Sequence, residues 1–273
     1  MSDCHIITIA NSKGDVGKTT TALNLAAALV AEHKSVLLID NDVQGNLTAA
    51  LGLTPSELKD TLGKLILSAI DTPEDLELHL SRTIMFLDYG IELIPANARL
   101  SDAAARLKVM QMSQYGGFRE SNRPYETVFT DIIASLTTQY DYDYIIVDCG
   151  LKHGLLTLNA LAASDYCIIP VQAHFLASEG LPQILEMIRS VQARFNSSLR
   201  VAGILLTMYQ SRPQLCKSVR ESISEIYGDS YHIFERPIEQ TIKIAECPAA
   251  GKSILYYAPK TPRLNPIGAL RGR

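Results

Sequence analysis

The sequence lacks the closely spaced cysteines that indicate disulfides or a structural metal. Its five cysteines are widely scattered, and no two of them form a C-x-x-C pair. Paired cysteines are typical of disulfide frameworks and of zinc sites. Neither is therefore expected, and reduced thiols in a cytoplasmic protein are the simpler interpretation.

Long apolar runs and a strong positive charge are also missing. No run approaches the roughly 18 apolar residues that a membrane span needs, and no basic region precedes the first apolar residues as in a signal peptide. The net charge is −4 and the isoelectric point is near 5.9. We therefore expect no membrane partner, and any binding of nucleic acid would need a local basic patch.

What the sequence does contain, within 273 residues that are 47% hydrophobic, is an alternation of short apolar runs with helical patterns. Several runs are continuously apolar, which is typical of parallel strands buried on both faces. This pattern predicts an α/β fold with a doubly wound, mostly parallel sheet flanked by helices. The predicted strands are His5–Ala10, Ser35–Asp40, Ile91–Ala96, Tyr144–Cys149, Tyr166–Val171 and Val201–Met208. The predicted helices are Lys18–His33, Leu100–Met110, Tyr125–Thr138, Gly180–Phe195 and Pro213–Tyr227.

The chain is predicted to hold one domain, residues 1–260, followed by a basic tail, residues 261–273. No repeat divides it, and the Gly- and Ser-rich loop at 112–124 is too short to link two domains. From residue 251 onward there are five Lys or Arg residues and no acid, and prolines and glycines interrupt the end. That composition favours an extended, flexible tail.

A phosphate-binding loop is predicted where the first strand meets the first helix. The letters "NSKGDVGKTT" lie between the apolar run "HIITIA" and an Ala/Leu-rich helix. Gly14 and Gly17 allow backbone N–H groups to approach phosphates at a helix N-terminus. Lys18 would reach the β- and γ-phosphates, and the Thr19 hydroxyl would bind Mg²⁺. The spacing is nevertheless irregular, because Ser12 stands where the pattern G-x-x-x-x-G-K-[ST] has its first glycine.

Acidic residues follow two of the predicted strands. Asp40 and Asp42 end the second strand, and Asp148 ends a later one in "YIIVDC". Ligands bind at the carboxyl ends of parallel strands. A single strand-end aspartate is often only a turn residue, but three beside a phosphate loop predict a magnesium and water site.

The order of these motifs resembles the ParA/MinD family of ATPases. "KGDVGKTT" resembles its deviant Walker A motif, K-G-G-x-G-K-[ST]-T, and "SVLLIDNDVQGN" resembles its switch I. "YDYIIVDCGLKHGLLTLNAL" is similar to the switch II region, and "AECPAAGKSILYYAPK" to the closing segment. The resemblance covers residues 5–260 and is closest to ParA-type DNA-partition ATPases.

The resemblance implies ATP and Mg²⁺ as cofactors and assigns a role to each matching residue. Lys13 would be the signature lysine that crosses to the partner's nucleotide in an ATP sandwich dimer, Asp42 would orient the attacking water, and Asp40 would support switch I. The implied catalytic residues are Lys13, Lys18 and Asp42, and the implied metal-site residues are Thr19, Asp42 and Asp148. The implied nucleotide-binding residues are Lys13, Gly14, Asp15, Val16, Gly17, Lys18, Thr19, Thr20, Thr207, Arg236, Pro237 and Ile238.

The same resemblance implies an ATP hydrolase that works as an ATP-bound homodimer. The dimer would bind DNA without sequence specificity at the nucleoid, and a ParB-like centromere-binding partner would stimulate hydrolysis during partition of a plasmid, chromosome or other cargo. DNA-contacting candidates are Arg212, Lys217, Arg220, Lys243, Lys252 and the tail. One alternative is a nucleotide-binding regulatory module with impaired turnover. Another is a MinD-like positioning ATPase, which the prolines of the tail disfavour because they break an amphipathic helix.

Three departures from the family pattern bear on mechanism. Asp15 replaces a glycine of the loop, Val43 replaces the proline of switch I, and "CGLKHG" replaces the two prolines of switch II. An aspartate tolerates positive φ better than most residues, but two like charges 4 Å apart repel by about 4 kcal/mol at an effective dielectric of about 20. We therefore expect Asp15 to weaken dimerisation and hydrolysis, with Lys152 as a nearby offsetting charge and His153 facing solvent.

Overall fold

The computed structural model describes residues 4–115, 124–151, 154–173, 180–210 and 214–258. Seven strands within these ranges form one sheet in the order β3-β4-β2-β5-β1-β6-β7. All neighbouring strands are parallel except β3, which pairs antiparallel with β4 at the edge. The predicted α/β class and mostly parallel sheet are confirmed. The strands are β1 His5–Ile9, β2 Val36–Asn41, β3 Met85–Phe86, β4 Glu92–Ile94, β5 Tyr144–Cys149, β6 Tyr166–Gln172 and β7 Arg200–Thr207.

Helices cover both faces of the sheet. The described helices are α1 Lys18–Ala31, α2 Asn46–Ala50, α3 Leu62–Asp71, α4 Leu76–Thr83, α5 Leu100–Tyr115, α6 Val128–Gln139, α7 Leu155–Ala162, α8 Gly180–Arg194, α9 Gln214–Tyr227, α10 Ile242–Glu246 and α11 Ile254–Tyr257. One core layer lies between the sheet and α1 and α2, and the other lies under α3 to α8. Successive β2 residues alternate between these layers, as side chains on a strand must.

Several element ends differ from the sequence prediction for identifiable reasons. The strand predicted through Met208 ends at Thr207, and the helix predicted through His33 ends at Ala31. Met208 has φ 50° and His33 has φ 62°, so both leave the regular region. The strand predicted as Ile91–Ala96 pairs only over Glu92–Ile94, and Pro95, which follows, has no N–H to donate to a ladder.

Six of the described helices and one strand were not predicted: α2, α3, α4, α7, α10 and α11, and the two-residue β3. In α3 the buried side chains Leu62, Leu65, Ile66 and Ala69 recur at helical spacing. That signal is present in the sequence but falls between two strands where a simple strand–helix alternation predicts only one helix. The extra helices α3 and α4 cover the face of the sheet near β4.

The register of the central strands fixes where the acidic residues meet. Asp148 on β5 is paired with Asp40 on β2 on one side and with Ile9 on β1 on the other. The loop after β1 and the turn after β2 therefore converge on the end of β5. This is the carboxyl edge of a parallel sheet, where such folds bind ligands.

Some predictions concern residues that the structure does not describe. They are the basic tail at 261–273, Lys152 and His153 of the switch II region, Arg212, and most of the loop at 112–124. In the described part of the chain, no helix has the length and apolar character that crossing a bilayer requires.

Candidate nucleotide-binding site

The loop between β1 and α1 has the backbone shape that exposes N–H groups to an anion. Gly17 occupies the N-cap of α1 with φ 80°, which is the left-handed region that glycine favours. Asp15 also has a positive φ of 56°. A non-glycine residue there is unusual, although aspartate is among those that tolerate it. Asp15 therefore adopts a backbone conformation that glycine favours.

Side chains fasten this loop to the neighbouring strands. The Asn11 amide nitrogen donates to the Pro170 carbonyl at 2.6 Å, and its oxygen accepts from the Lys13 N–H at 3.0 Å. The Ser12 hydroxyl donates to the Gly180 carbonyl at 2.7 Å. Ser12, the residue at the place of the missing glycine, is therefore an anchor to the start of α8. On the other side, the Thr207 hydroxyl donates to the Val16 carbonyl at 2.8 Å.

Lys18 is held inside the loop. Its side chain is buried, and Nζ donates to the Lys13 carbonyl at 3.0 Å. Burial lowers the pKa of the Lys18 ammonium, while the carboxylates of Asp148 and Asp42 oppose that effect. A short movement of Nζ away from a carbonyl of its own loop would bring it to a phosphate bound at the N-terminus of α1.

Asp40 and Asp148 are paired on adjacent strands and are both buried, but they differ in their hydrogen bonds. Oδ2 of Asp40 accepts from the Thr48 N–H at 2.8 Å and from the Thr48 hydroxyl at 2.6 Å. That hydroxyl in turn accepts from the Ala96 N–H at 3.0 Å, so Asp40 ties the start of α2 to the end of β4. Burial raises the pKa of Asp40 to about 6, against the effect of these hydrogen bonds.

Asp148 is 1% exposed, and neither of its carboxylate oxygens has a hydrogen-bond partner among the described residues. Burial, and next the charge of Asp40, raise its pKa well above the usual value. Thr19 and Lys18 favour the charged form, but the Thr19 hydroxyl does not reach good hydrogen-bond geometry. A buried carboxylate with free oxygens is costly unless a cation or donor meets it.

Asp42 is positioned by a tight turn after β2. Its Oδ1 accepts from the Gln44 N–H at 3.1 Å, and its Oδ2 accepts from the Asn46 amide at 2.6 Å. Gly150 at the end of β5 lies so close that a Cβ there would be 2.7 Å from Oδ1 of Asp42. Only glycine at position 150 lets the two loops approach in this way.

The oxygen-bearing side chains near the phosphate loop suit Mg²⁺ rather than a metal ion that takes all of its ligands from the protein. No cluster of three or more His, Cys, Asp or Glu side chains able to hold a metal occurs among the residues described. Mg²⁺ usually takes one or two protein oxygens together with phosphates and waters. The Thr19 hydroxyl and the free oxygens of Asp148 fit that demand.

Two adjoining cavities extend from the loop. The first has a volume of about 500 Å³, and Lys18, Thr19 and Asp42 lie in its wall. The second has about 560 Å³ and is lined by residues of the 207–210 and 238–248 segments. Both include Gly17, Thr20, Met208 and Pro248 in their walls, so they form one continuous groove. Such a groove has room for phosphates at one end and a base at the other.

The structure brings together most of the predicted site residues. The first cavity contains Asp15, Val16, Gly17, Lys18, Thr19, Thr20 and Asp42 in its lining. Thr207 and Ile238 line the second cavity, but Arg236 and Pro237, predicted beside them, do not. Lys13 and Gly14 also lie outside both linings. Residues of the second cavity that sequence reasoning missed include Gln210, Glu239, Gln240, Thr241, Ile242 and Ile244, and no motif in the sequence marks them.

The departures from the family pattern have different surroundings. Asp15 is exposed at the wall of the first cavity. Val43 is half-buried and packs against the hydrophobic core, so an apolar contact replaces the stiffness of a proline at this turn. Leu151, next to the altered switch II segment, is 49% exposed.

The sheet, the loop and the strand-end acids together define a P-loop nucleotide-binding protein, and comparisons with known proteins agree. A family model described as an AAA domain matches residues 4–201. The sporulation initiation inhibitor protein Soj of Bacillus subtilis is 36% identical over 256 residues, covering 94% of this chain and 92% of Soj. The chromosome partitioning protein ParA of Myxococcus xanthus is 37% identical over 253 residues, covering 93% of this chain and 81% of that protein. The chain belongs to the ParA/Soj family of P-loop ATPases.

Solved structures agree on the fold. Cobyrinic acid a,c-diamide synthase from Mycobacterium smegmatis, with bound ADP and magnesium, superposes with a TM-score of 0.75 at 30% identity, over 95% of this chain and 96% of that chain. The apo form of McdA from Cyanothece gives a TM-score of 0.77 over 98% and 99% of the two chains. At 24% identity, the likeness to McdA concerns the fold alone. ATP and Mg²⁺ are the cofactors of this fold and site.

Proposed function

We propose that this protein is a Mg²⁺-dependent ATPase that forms an ATP-bound homodimer, binds DNA without sequence specificity and drives partition of a plasmid, chromosome or other cargo. The observation that carries the proposal is the buried Asp148 carboxylate, which has no hydrogen-bond partner among the described residues and precedes Cys149 in the wall of the cavity that Lys18 and Thr19 line. A cation site beside a phosphate site is what nucleotide hydrolysis requires.

Each residue of the phosphate end has a task in this proposal. Lys18 exchanges the Lys13 carbonyl, now 3.0 Å away, for phosphate oxygens. Thr19 and Asp148 would hold Mg²⁺, and the bound ion would offset charge on the phosphates. Asp42 orients the attacking water from a carboxylate fixed by Gln44 and Asn46. Lys13 acts on the nucleotide of the second subunit, where a cation supplied in trans stabilises the transferring phosphoryl group.

DNA binding is proposed to depend on exposed basic side chains and not on net charge. Lys217, Lys243 and Lys252 are exposed, and Arg220 is half-buried with Nη2 donating to the Glu235 carbonyl at 3.0 Å. Contacts from such residues to phosphates carry no sequence information and weaken with salt. A ParB-like partner that stimulates hydrolysis and release completes the cycle, which we place at the nucleoid in the cytoplasm.

The test combines DNA binding with phosphate release. Gel shifts with Mg-ATP should show binding that is indifferent to sequence and falls steeply as salt rises. Replacement of Asp42 by Asn should leave ATP binding nearly intact and lower phosphate release by about tenfold or more. Asp60→Asn, outside the site, should change neither ATP binding nor phosphate release. Binding to a single defined operator only, or none at low salt, would contradict the DNA-partition function.

One alternative has an observation in its favour. Asp15 places a carboxylate at the wall of the phosphate cavity, which suits a nucleotide-binding regulatory module with little turnover. If DNA and a cognate partner fail to raise phosphate release from protein that binds ATP normally, this alternative is the better description. A MinD-like positioning ATPase remains the less favoured reading.

A further inference from the structure

Asn41 is a buried polar residue to which neither the motifs nor the proposed reaction gives a task. It is the last residue of β2, lies between Asp40 and Asp42, and is 2% exposed. Side chains along a strand point alternately to its two faces. Asn41 therefore shares a face with Leu37 and Ile39, which belong to the core layer under α3 to α8, whereas Asp40 faces α2.

The Asn41 side chain is bonded to the first turn of α7. Its Nδ2 donates to the Leu156 carbonyl at 3.1 Å and lies 3.6 Å from Sγ of Cys149, the residue paired with Asn41 on β5. A carbonyl oxygen can only accept a hydrogen bond, so the amide nitrogen is the atom that must face Leu156. The orientation of this amide is therefore fixed by its partner.

The oxygen of the same amide has no partner. Oδ1 of Asn41 is buried and accepts no hydrogen bond from the described residues. A buried acceptor without a donor costs free energy. The Leu156 carbonyl, which lies inside a helix, has the N–H four residues further on as its regular donor. The Asn41 side chain therefore adds little to the stability of the fold, and the effect of its donated bond is to join β2 to α7.

Further contacts extend from Asn41 to Asp42. The Gly150 N–H donates to the Asn41 carbonyl at 3.2 Å. A Cβ on Gly150 would lie 2.7 Å from Oδ1 of Asp42 and 3.3 Å from its Cα. The segment after β5 thus packs directly on Asp42, while the side chain of the residue before Asp42 fastens the same turn to α7. A displacement of about 1 Å in a reacting group can lower a rate by about 100-fold.

We propose that Asn41 is a positioning residue for hydrolysis, and that it holds the Asp42 carboxylate in place by tying the end of β2 to the first turn of α7. This inference rests on the proposed function, in which Asp42 orients the attacking water. Asn41 touches neither the nucleotide nor the water in this proposal. Its loss should therefore affect turnover and leave the binding of ATP unchanged.

The experiment measures phosphate release from Mg-ATP, as kcat and KM, together with the urea midpoint of unfolding. The variants are Asn41→Ala and Asn41→Leu, of which the second fills the space that the first leaves empty. Both are also made in the Asp42→Asn background. A residue that acts only through Asp42 should lose its effect on kcat when Asp42 has already been replaced.

Asn196→Ala is the matched control, because Asn196 also donates to a carbonyl of α7 but at the other end of the helix. Its Nδ2 donates to the Ser164 carbonyl at 2.7 Å and to the Leu161 carbonyl at 3.4 Å. Its Oδ1 accepts from the Ser198 hydroxyl at 2.7 Å. Both ends of this amide are thus bonded, and its loss should lower the urea midpoint more than the loss of Asn41 does.

The Asn41 variants should lower kcat by at least about fivefold and keep KM within about twofold of the unaltered protein, since an interaction that acts only in the transition state has been weakened. The Asn196→Ala control should keep kcat within about twofold. In the Asp42→Asn background, replacement of Asn41 should change kcat by less than about twofold.

Three results would overturn this inference and leave the proposed function standing. They are an unchanged kcat in both Asn41 variants, a loss of kcat that multiplies in full with that of Asp42→Asn, and a failure of both Asn41 variants to fold. Absence of ATP hydrolysis by the unaltered protein, or an unchanged kcat in Asp42→Asn alone, would instead contradict the proposed function, and this inference with it.

Discussion

The phosphate end and the base end of the groove are built in opposite ways. At the phosphate end the working side chains are buried: Lys18 is 6% exposed, Asp42 is 6% exposed and Asp148 is 1% exposed. At the base end Gln210 and Gln240 are exposed on short segments. The charged groups are thus buried at the carboxyl edge of the sheet, whereas the neutral amides are exposed at the surface of the protein.

The difference follows from what each end must do. A phosphate group carries charge, and an electrostatic interaction is much stronger where water is excluded. Burying an ionisable group costs free energy unless a neighbour or a bound ion compensates, as Thr48, itself held by the Ala96 N–H, does for Asp40. An amide side chain at the surface carries no net charge and does not incur this cost. Stability and affinity should therefore depend on the phosphate end more than on the base end.

Removal of the Thr48 hydroxyl should have the largest effect on stability. Thr48→Val deletes a 2.6 Å hydrogen bond to the buried Asp40 carboxylate and a 3.0 Å bond from the Ala96 N–H. We expect the free energy of unfolding, measured in urea, to fall by about 2–3 kcal/mol, as for a buried group left unpaired. The exposed Thr54→Val should stay within about 0.5 kcal/mol. Equal stability of the two variants would show that the phosphate end is not held in this way.

Replacement of Lys18 should come next, and should act on affinity. Lys18→Ala removes the ammonium that lies in the wall of the phosphate cavity. We expect ATP binding, measured by calorimetry, to weaken at least about tenfold, which is 1.4 kcal/mol. The exposed Lys59→Ala is the control. Equal affinities for Lys18→Ala and the unaltered protein would contradict the assignment of the phosphate loop.

The free energy of unfolding should depend on pH through the buried acids of the phosphate end and not through the exposed base end. Burial raises the pKa of Asp40 to about 6 and raises that of Asp148, so the folded state binds protons more tightly than the unfolded state. The contribution of Asp40 to unfolding free energy should therefore decrease as pH rises from about 4, the unfolded value, through about 6, and that of Asp148 should decrease further as pH rises.

Asp148→Asn isolates this effect because it removes one of the two acids. Urea unfolding at pH 5 and pH 7.5 should show a smaller loss of stability with rising pH in the variant than in the unaltered protein. Gln240→Glu, at the exposed base end, should leave the difference between the two pH values unchanged. If Asp148→Asn and the unaltered protein give parallel pH profiles, Asp148 does not titrate as a buried carboxylate.

The same contrast explains how much the sequence predicts. The phosphate end is predictable because Lys18 and Thr19 follow a strand in a recognisable loop, and because Asp40 and Asp148 end apolar runs. Strand ends of a parallel sheet meet in space, so separate motifs combine into one site. The sheet itself is predictable for the same reason, since its buried strands are continuous apolar runs.

The base end is not predictable by these means. Gln210 and Gln240 are polar residues in exposed segments, where neither periodicity nor a motif distinguishes them from surface residues. They come together only because β7 and the segment after Phe234 lie side by side, as the bonds between Ile204 and Phe234 show. Arg236 and Pro237 lie outside the lining of the second cavity, and their role beside the base stays a prediction, because a loosely matched loop does not define which of its residues point inward.

Among the described residues, Asp15 is a charged residue that belongs to the phosphate end by sequence but resembles the base end in its exposure. It lies in the wall of the cavity and is exposed to solvent. Solvent screening should reduce its repulsion of a bound phosphate or a second subunit from the roughly 4 kcal/mol of a shielded pair towards about 1 kcal/mol. We therefore expect Asp15 to weaken ATP-dependent dimerisation without abolishing it.

The effect of replacing Asp15 on dimerisation should be smaller than the effects of the substitutions above. It should come from the loss of the carboxylate charge and not from relief of backbone strain. Asp15→Gly relieves both the charge and the φ of 56°, whereas Asp15→Asn removes the charge and still tolerates that φ. By sedimentation with Mg-ATP, both variants should dimerise at about fivefold lower concentration than the unaltered protein, since 1.4 kcal/mol is tenfold. If only the glycine variant dimerises more readily, the backbone and not the carboxylate limits the dimer. If neither variant dimerises more readily, the Asp15 carboxylate points to solvent and does not affect ATP-dependent dimerisation.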